Sequence, residues 1–509
     1  MATNQWSTPL GVALAAAGSA IGLGNFLRFP GVAYNNGGGA FIIPYLICFF
    51  LIAIPLSLVE WALGKKAGQL NQHSPAGVLS VFIKSRFFLA IAGAFSTIIP
   101  IGIYFFYALI QSWCLSYMLV FLGLSPYEIP KTSQESIMLF EQISKSSHNG
   151  FSMSFPLLSL TVVAIANAWI ILKGLQRGIE RFCKFAVPFM IALALIILTR
   201  VLTIGSVEGR TVSDALGFMW NPKGASENWG DYLLNSSVWL AAFGQVFFSL
   251  GTGCGVIVVY ASYVPKNKDV ALTGLTAASA NGFVEVCLAG LMTIPAIFLF
   301  LGPNLEATST FSVGFISLPL VFEKMWGFNR FFGFLWFSML FLAAITSSIS
   351  IIQSFVAFLQ DYFSLPFKKA ALFAIVIMTA GNVLCYTFSL NNGLLASLDF
   401  WLGTITITLS SLTLCLLGAM INTTTLHQMI SENAAIKIPR LLISGIKFIS
   451  LPIFLNLMLV WFKSGISEQL TKTFDSFEQI VGFFVSIGLF VSTSIIIFKK
   501  SKCLSKDFF

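Results

Sequence analysis

The chain has 509 residues, of which 57% are hydrophobic and only 10% are charged. This composition, with 52 phenylalanines, lies far outside that of soluble domains and indicates an integral membrane protein. The formal net charge is +9, but no basic run falls on a soluble binding face, which argues against a nucleic-acid partner.

Twelve apolar stretches are each long enough to cross a lipid bilayer, so we expect a single polytopic domain over residues 1–509. The N-terminus lacks the features of a removable signal peptide, and span 1 is expected to belong to the mature fold. Because the number of spans is even and lysine and arginine concentrate on the side of the termini, both termini are predicted to be cytoplasmic. Spans 1 to 12 are predicted over 10–33, 40–63, 87–122, 153–172, 182–205, 237–262, 270–301, 330–360, 368–388, 394–421, 441–463 and 476–498.

Spans 1 and 6 are both interrupted by glycines. Span 1 contains GSAIGLGN over residues 18–25, and span 6 contains SLGTGCG over residues 249–255. The spacing of Gly18 and Gly22 also suits close helix packing, so that explanation is open for span 1 taken alone. Because both spans carry such a segment next to polar residues, the pair favours unwound backbone, which a membrane tolerates only where it faces a cavity or a ligand.

The two interrupted spans lie five spans apart, as the first helices of two five-helix repeats would. An odd number of helices per repeat inverts the second copy in the membrane, and paired interruptions of this kind mark the central site of a transporter. We therefore predict an all-α fold of twelve transmembrane helices with helices 1 and 6 unwound at mid-membrane. Its repeats are expected over residues 6–205 and 237–421, followed by two additional helices over 441–498.

Span 8 carries three consecutive hydroxyl residues, Thr346, Ser347 and Ser348, in a long apolar helix. Hydroxyls often bond the carbonyls of their own helix, which is one explanation. At about 1.5 Å per residue, this cluster and the break in span 1 both lie near the middle of the bilayer. Hydroxyls beside unwound carbonyls would form an all-oxygen shell suited to a hard monovalent cation, and we interpret the cluster as a sodium site.

Three further polar residues, Asn25, Ser249 and Asn281, lie in or beside the interrupted spans. Buried amides frequently do no more than join helices. If these side chains converge, they predict a second cation next to the substrate. The sequence shows neither a nucleophile paired with a base nor a metal-ligating cluster, and the eight cysteines are scattered without a CxxC pair, so we expect no enzymatic activity, zinc site or disulfide framework.

Four carboxylates lie within or at the ends of spans: Glu60, Glu285, Asp361 and Asp399. Charges at such depth are costly and point to function. Arg28, near the outer end of span 1, and Asp399, early in span 10, are placed to pair as an outer gate or as a static ion pair. Glu60 either accepts hydrogen bonds from amides freed by unwinding or is neutral and buried.

Several long motifs of this chain are similar to those of one known family. The segments GSAIGLGNFLRFP, NNGGGAFIIPY, VEWALG, FGQVFFSLGTGCG, ASYVP, GFISLPLVF and FLWFSMLFLAAITSSISIIQ resemble the neurotransmitter:sodium symporter family, especially its bacterial amino-acid transporters. The resemblance extends from about Trp6 to Trp401 and, more loosely, through spans 11 and 12. It implies the inverted-repeat fold and sodium as the coupling ion.

The resemblance implies two sodium sites, each made of backbone carbonyls and polar side chains. The first matches the carbonyls of Gly18, Ile21 and Ala343 and the hydroxyls of Thr346 and Ser347. The second matches the Ala20 carbonyl, Asn25, Ser249 and Asn281, and in the family it also uses the substrate carboxylate. Ser249 stands where threonine is frequent, which is a conservative difference.

The resemblance also implies the contacts of an amino-acid substrate. Its carboxylate would meet the amides of Leu23 and Gly24 and the Tyr107 hydroxyl, and its amine would meet the carbonyls of Ala20, Phe248 and Ser249. Gly22 stands where monoamine transporters have aspartate, so a free carboxylate is expected on the substrate. Cys254 stands where leucine-preferring relatives have phenylalanine, so this pocket is expected to have more room. The extra room favours a hydrophobic substrate, aromatic ones included. The side-chain pocket would be lined by Ile103, Tyr107, Phe248, Gly251, Cys254, Ser347 and Ile351.

The gates and the anion site follow by the same matching. Tyr107 with Phe248, and Arg28 with Asp399, match the outer gates. Glu285 stands where chloride-dependent members have serine, so transport is expected to be chloride-independent, and proton counter-transport through this carboxylate is open. The inner gate departs from the family pattern because no arginine precedes Trp6, which leaves Asp361 without its expected partner. Inner closure is then expected to use Trp6 with Tyr263 and Gln353.

These inferences predict a sodium-coupled symporter that imports a small hydrophobic amino acid by alternating access. Its partners would be the amino acid, sodium ions and the lipid bilayer, and by analogy the membrane is the bacterial inner membrane. The alternative is a substrate-binding receptor or sensor on the same fold without coupled transport. The intact polar residues at both sodium sites argue against that alternative.

Overall fold

The computed structural model describes residues 5–144, 154–224, 229–302, 313–325, 328–388, 393–464 and 475–500, and it is almost entirely helical. Ten helices in these ranges are long and apolar enough to cross a membrane. They are Gly39–Gly68, Arg86–Leu122, Phe155–Leu172, Leu175–Leu202, Ala271–Leu301, Arg330–Phe363, Phe367–Thr387, Gly393–Met420, Arg440–Lys463 and Phe477–Lys500, which correspond to predicted spans 2 to 5 and 7 to 12.

Span 1 is broken, as expected. Its two halves, Pro9–Ala20 and Gly24–Asn35, are bent by 45° and would together form an eleventh span. The first half starts at Pro9, and the Thr8 hydroxyl accepts a hydrogen bond from the Gly11 amide, which satisfies a free N–H at the helix start. Within the break the Gly22 amide donates to the Asn25 side chain at 2.9 Å instead of to a helical carbonyl.

Span 6 is divided further and accounts for the difference from the predicted count of twelve spans. It consists of Ser236–Leu250 and Val256–Ser262, of 15 and 7 residues, and neither is long enough to cross a membrane alone. Gly251, Gly253 and Gly255 in the break have positive φ angles of 65°, 84° and 76°. Residues with a side chain rarely adopt this conformation, so the glycines determine where the helix stops.

The buried centre of the molecule is formed by spans 3, 7 and 8, whose most apolar stretches are each 78% buried, whereas that of span 12 is only 22% buried. Several helices contain π-helical turns, which often occur at functional positions. Three of these turns, Gly24–Arg28, Val284–Gly290 and Asp399–Thr406, contain the membrane charges Arg28, Glu285 and Asp399. The other π-helical turns are Phe49–Ala53, Leu175–Glu180, Val313–Ser317 and Ile446–Ser450.

Span 5 begins at Leu175, earlier than the predicted start at 182. The additional turn holds Glu180, whose carboxylate accepts hydrogen bonds from the Ser7 amide at 2.9 Å and the Thr8 hydroxyl at 3.0 Å and pairs with Lys184 at 2.7 Å. Hydropathy alone excluded this charged turn from the span, but its charge is compensated by the segment that precedes span 1.

Short elements connect the spans. Two strands, Ser206–Val207 and Arg210–Thr211, pair antiparallel with Ser206 opposite Thr211. The connecting helices are Pro75–Ser80, Ser133–Ser144, Val212–Trp220, Pro222–Gly224, Gly230–Leu234, Leu318–Lys324 and Thr423–Ser431.

Candidate functional site

A cavity of about 100 Å³ lies between the breaks of spans 1 and 6. Its wall includes all twelve positions predicted to bind substrate. These are Ala20, Gly22, Leu23, Gly24, Ile103, Tyr107, Phe248, Ser249, Gly251, Cys254, Ser347 and Ile351. The cavity also reaches Ser57, Trp61, Tyr260 and Ser350, which the sequence analysis did not assign to it.

One end of the cavity is polar and closely fitted around Gly22. A Cβ at Gly22 would lie 2.8 Å from the Ser347 hydroxyl oxygen and 3.2 Å from that of Tyr107. The Tyr107 hydroxyl also interacts with the Leu23 backbone. The structure therefore brings the unwound backbone of span 1 to hydroxyls from spans 3 and 8, and only glycine fits at this point without displacing them.

The other end of the cavity is apolar. Phe248 packs directly on Gly24, where a Cβ would lie 3.0 Å from the ring. Ile103, Cys254 and Ile351 are each less than 10% exposed and complete the wall. Nothing lies within 4 Å of the position of a Cβ at Gly251, so the cavity has free space there. Such a wall suits a hydrophobic side chain, with polar groups only at the opposite end.

Several residues predicted for the first sodium site lie together where span 8 meets the end of the first half-helix. The Ser347 hydroxyl donates to the Ser19 carbonyl at 3.0 Å and to the Ala343 carbonyl at 3.2 Å. The Thr346 hydroxyl donates to the carbonyls of Leu342 and Ala343 at 3.1 and 3.0 Å. Both hydroxyls therefore bond carbonyls of their own helix, which was one of the two explanations offered by the sequence. Ser347 in addition joins span 8 to span 1.

Gly18 lies against the same hydroxyl cluster. A Cβ at Gly18 would be 3.4 Å from Thr346 Cβ and 2.7 Å from Val187 Cγ2 of span 5. The small residue therefore allows its backbone to approach both helices, which agrees with the close-packing explanation as well as with a role for its carbonyl.

Ser348, the third hydroxyl of the cluster, belongs to a different network. It donates to Asn167 Oδ1 at 2.9 Å and to the Ile345 carbonyl at 3.0 Å. The Asn167 amide nitrogen donates in turn to the Tyr104 hydroxyl and to Gln111, at 3.0 and 3.1 Å. This buried network joins spans 3, 4 and 8, and sequence reasoning missed it because nothing in span 4 marks Asn167 as a partner of span 8.

The polar residues predicted for the second sodium site converge. The Asn25 amide nitrogen donates to Asn281 Oδ1 at 2.9 Å and to the Ser249 hydroxyl at 3.2 Å, and the Asn281 amide nitrogen donates to Ser249 at 2.8 Å. All three side chains are buried. One residue each from spans 1, 6 and 7 therefore meets at a point next to the unwound Gly22.

Glu285 extends this cluster away from the cavity. Its carboxylate accepts hydrogen bonds from the Tyr45 hydroxyl, the Gln245 amide nitrogen and, at 2.8 Å, the Ser249 hydroxyl. The side chain is fully buried, so these donors replace the water that a carboxylate needs. Sequence reasoning found Glu285 but not Tyr45 or Gln245. The signal for them is that each is a polar residue within an apolar span.

Glu60 accepts a hydrogen bond from the Gly253 amide at 3.0 Å. This amide lies in the break of span 6, so Glu60 does accept a hydrogen bond from an amide freed by unwinding, the first of the two alternatives given for it. Glu60 Oε2 makes no hydrogen bond in the described part of the chain. The carboxylate thus links span 2 to the broken segment.

At the end of the site predicted to face outward, the structure places Arg28 over Phe248 and not in direct contact with Asp399. The guanidinium carbon is 4.6 Å from the Phe248 ring centre, and Nη1 donates to the Gly244 carbonyl at 3.2 Å. Within the described ranges, no nitrogen of Arg28 lies within 4 Å of an Asp399 oxygen, although the two charges interact through space. An ion pair between them is absent in this conformation.

At the end predicted to face the cytoplasm, Trp6 is only 3% exposed and packs edge-on against Tyr260, with ring centres 5.0 Å apart. Its indole nitrogen donates to the Tyr260 carbonyl at 2.9 Å, and its amide donates to the Tyr263 carbonyl at 3.3 Å. Gln353 donates to the Tyr263 hydroxyl at 3.4 Å. The three residues expected at this closure, Trp6, Tyr263 and Gln353, therefore do meet.

Comparison with known proteins gives a consistent result. The family model described as "Sodium:neurotransmitter symporter family" matches residues 3–125 and 127–503. An uncharacterized sodium-dependent transporter of Methanocaldococcus jannaschii is 32% identical over 408 residues, which cover 76% of this chain and 77% of the relative. The sodium-dependent nutrient amino acid transporter 1 of Drosophila mojavensis is 27% identical over 416 residues, 72% of this chain and 62% of the relative.

Among solved structures, the crystal structure of MhsT in complex with L-phenylalanine is similar to this chain. The two structures superpose with a TM-score of 0.75 at 26% sequence identity, over 89% of this chain and 99% of MhsT.

Proposed function

The chain belongs to the sodium:neurotransmitter symporter family, a family of sodium-dependent transporters, and we propose that it imports a hydrophobic amino acid together with sodium by alternating access. The observation that carries this proposal is the cavity between the two helix breaks, which is polar at one end, apolar at the other and flanked by both oxygen-rich clusters. A multi-pass membrane location follows from the family and the apolar helices.

The first sodium ion would bind the carbonyls of Gly18, Ile21 and Ala343 and the hydroxyls of Thr346 and Ser347. In support of this, Ser347 already bridges the Ser19 and Ala343 carbonyls, so the end of the broken helix and span 8 present oxygens to the same point. An ion bound there would stabilise the conformation in which these two helices are in contact, and an ion drives a cycle only if it favours one conformation over another.

The second sodium ion would bind the Ala20 carbonyl and the side chains of Asn25, Ser249 and Asn281, together with the substrate carboxylate. The convergence of the three side chains beside Gly22 supports this site. Sharing the carboxylate with an ion would make substrate binding and sodium binding favour each other, which is the thermodynamic requirement for symport.

The substrate would be a free amino acid with a hydrophobic side chain, aromatic ones included. Its carboxylate would accept hydrogen bonds from the Leu23 and Gly24 amides and from Tyr107, and its amine would donate to the carbonyls of Ala20, Phe248 and Ser249. The apolar wall with the small residues Gly251 and Cys254 supports this class of side chain. The similarity to MhsT, whose structure contains L-phenylalanine, supports it as well.

Transport would be independent of chloride because Glu285 supplies a fixed negative charge. The three hydrogen bonds to its carboxylate support this, since Tyr45, Gln245 and Ser249 would be arranged equally well around a bound anion. Tyr107 with Phe248, and Arg28 with Asp399, would close the outer side once the substrate is bound. Both termini would face the cytoplasm of a bacterial cell, with repeats over 6–205 and 237–421.

The test is uptake of each labelled amino acid into proteoliposomes, with and without an inward sodium gradient. The variant Thr346→Ala/Ser347→Ala is compared with Ser338→Ala, which removes a hydroxyl from the same helix; within the described residues this hydroxyl bonds only the Phe334 carbonyl. We expect sodium-driven accumulation in the wild type and in Ser338→Ala and its loss in the double variant. Binding of an amino acid without gradient-driven accumulation in the wild type would contradict the proposal and favour a receptor or sensor on this fold.

A further inference from the structure

The segment that follows span 2 packs against the inner end of span 6. The His73 imidazole lies flat on the Tyr263 ring, with centres 4.5 Å apart and planes at 2°, and its Nδ1 is 3.0 Å from the Ser262 hydroxyl. Ser262 ends the second half of the broken span, and Tyr263 follows directly. Tyr263 is only 3% exposed, so the imidazole covers a ring that is otherwise enclosed by protein.

The same segment also binds the inner end of span 8. The peptide N–H groups of His73 and Ser74 donate to one oxygen of Asp361, at 2.9 and 2.7 Å. In the described part of the chain, no lysine or arginine forms an ion pair with Asp361. Hydrogen bonds to a carboxylate are stronger than those between neutral groups, so the two amides hold this charge where a cationic partner was expected.

We propose that His73 is the positioning residue that latches the inner gate, holding the second half of span 6 through its imidazole and Asp361 of span 8 through its peptide N–H. The inference rests on the proposed alternating-access function. Opening a path from the cavity to the cytoplasm requires the helix that carries Tyr260 and Tyr263 to separate from Trp6 and from span 8. His73 contacts both sides of that separation, and the loop 69–74 thereby replaces an ion pair as the closing element.

Burial of the imidazole disfavours its charged form. Burial lowers the pKa of His73, and the nearby carboxylate of Asp361 opposes this only in part. Within the described residues, the titratable groups that face the ring are Asp361 of span 8 and Tyr263 at the end of span 6. A group whose pKa is lower when buried binds a proton more readily when it is exposed to water. Acid on the cytoplasmic side therefore favours the open gate.

The experiment measures access to the cavity from the cytoplasmic side. In a variant that keeps Cys254 as its only cysteine, a membrane-impermeant maleimide is added to inside-out membrane vesicles, and the rate of labelling is followed. Cys254 lines the cavity, so it reacts only when the inner gate opens. Variants His73→Ala and His73→Phe are compared with His427→Ala. His427 lies in the helix Thr423–Ser431, and its Nε2 bonds the Ile438 carbonyl.

At neutral pH we expect His73→Ala to label about fivefold faster or more, the factor for losing one hydrogen bond, and His427→Ala to label at the wild-type rate. His73→Phe keeps a flat ring on Tyr263 but cannot be protonated. Mild acid should accelerate labelling more in the wild type than in His73→Phe, in which, among the described residues, the Asp361 carboxylate is the one group of this contact that acid still protonates. An unaltered rate in His73→Ala, or the same acid response in His73→Phe as in the wild type, would overturn the proposal.

If His73→Ala does not fold, the acid response of His73→Phe decides alone. Labelling needs no transport, so a protein that fails to accumulate amino acids while its labelling depends on His73 would refute symport and leave the latch intact.

Discussion

The break in span 6 allows a direct test, because two of its glycines share a backbone conformation and differ in their surroundings. Gly251 and Gly253 both have positive φ angles. A Cβ at Gly251 would have no neighbour within 4 Å, whereas one at Gly253 would lie 2.0 Å from the Ser411 hydroxyl oxygen and 3.0 Å from the Ser411 nitrogen. Gly251→Ala is therefore the matched control for Gly253→Ala.

The expected difference follows from these distances. In either alanine variant the left-handed backbone costs about 1–2 kcal/mol of free energy. In Gly253→Ala, overpacking against span 10 costs roughly 1–3 kcal/mol more. Gly253 also donates to Glu60, so a shift of the backbone that relieves the clash strains that hydrogen bond. An additional 1–3 kcal/mol corresponds to a factor of roughly 5 to 150 in an equilibrium constant.

The assay is equilibrium binding to the purified protein, in sodium, of the labelled hydrophobic amino acid that gives the strongest sodium-driven uptake. Because strain reduces the fraction of protein in the binding-competent conformation, it raises the apparent Kd in proportion. We expect the apparent Kd of Gly253→Ala to exceed that of Gly251→Ala by about fivefold or more, and Gly253→Ala/Ser411→Gly to recover part of the loss. Equal apparent Kd values for the two single variants would show that the contact with Ser411 does not control the site.

Two further variants test the anion site and the pocket. Glu285→Ser should make uptake depend on chloride, with a fall of about tenfold when chloride is absent. The donors Tyr45, Gln245 and Ser249 would lose their acceptor, and each unsatisfied group costs about 1–3 kcal/mol. Uptake that stays independent of chloride in this variant would contradict the assigned role of Glu285. Cys254→Phe should fill the apolar end of the cavity. We expect the KM for phenylalanine to rise roughly tenfold and the KM for leucine to change less, because overpacking costs about 1–3 kcal/mol. An equal effect on both amino acids would show that this position does not select substrates by size.

Much of the candidate site could be predicted from the sequence because its parts are local. Glycine-rich segments next to polar residues are not required by a continuous membrane helix, so their occurrence in both spans 1 and 6 identified the two breaks. Depth along a helix follows from the residue number, so it also followed that Ser347 and the end of the first half-helix would lie at one level. Asn25, Ser249 and Asn281, whose side chains converge, were recognised as candidates because they are polar residues in or beside the interrupted spans.

The partners of these residues could not be predicted, because hydropathy gives depth but not the rotation of a helix about its own axis. Rotation decides that Ser348 faces Asn167 while Ser347, one residue earlier, faces span 1. It also decides that Arg28 lies over Phe248 and not against Asp399.

The sequence by itself determined three things: that this protein spans a membrane, at which residues spans 1 and 6 break, and which residues are too polar to lie in lipid without a function. Only the tertiary structure decided which of them meet. Tyr45 reaches Glu285 across 240 positions of sequence, and the amide of His73 reaches Asp361 across 288. Such contacts depend on the packing of whole helices, which is fixed by many weak interactions acting together and not by any local pattern.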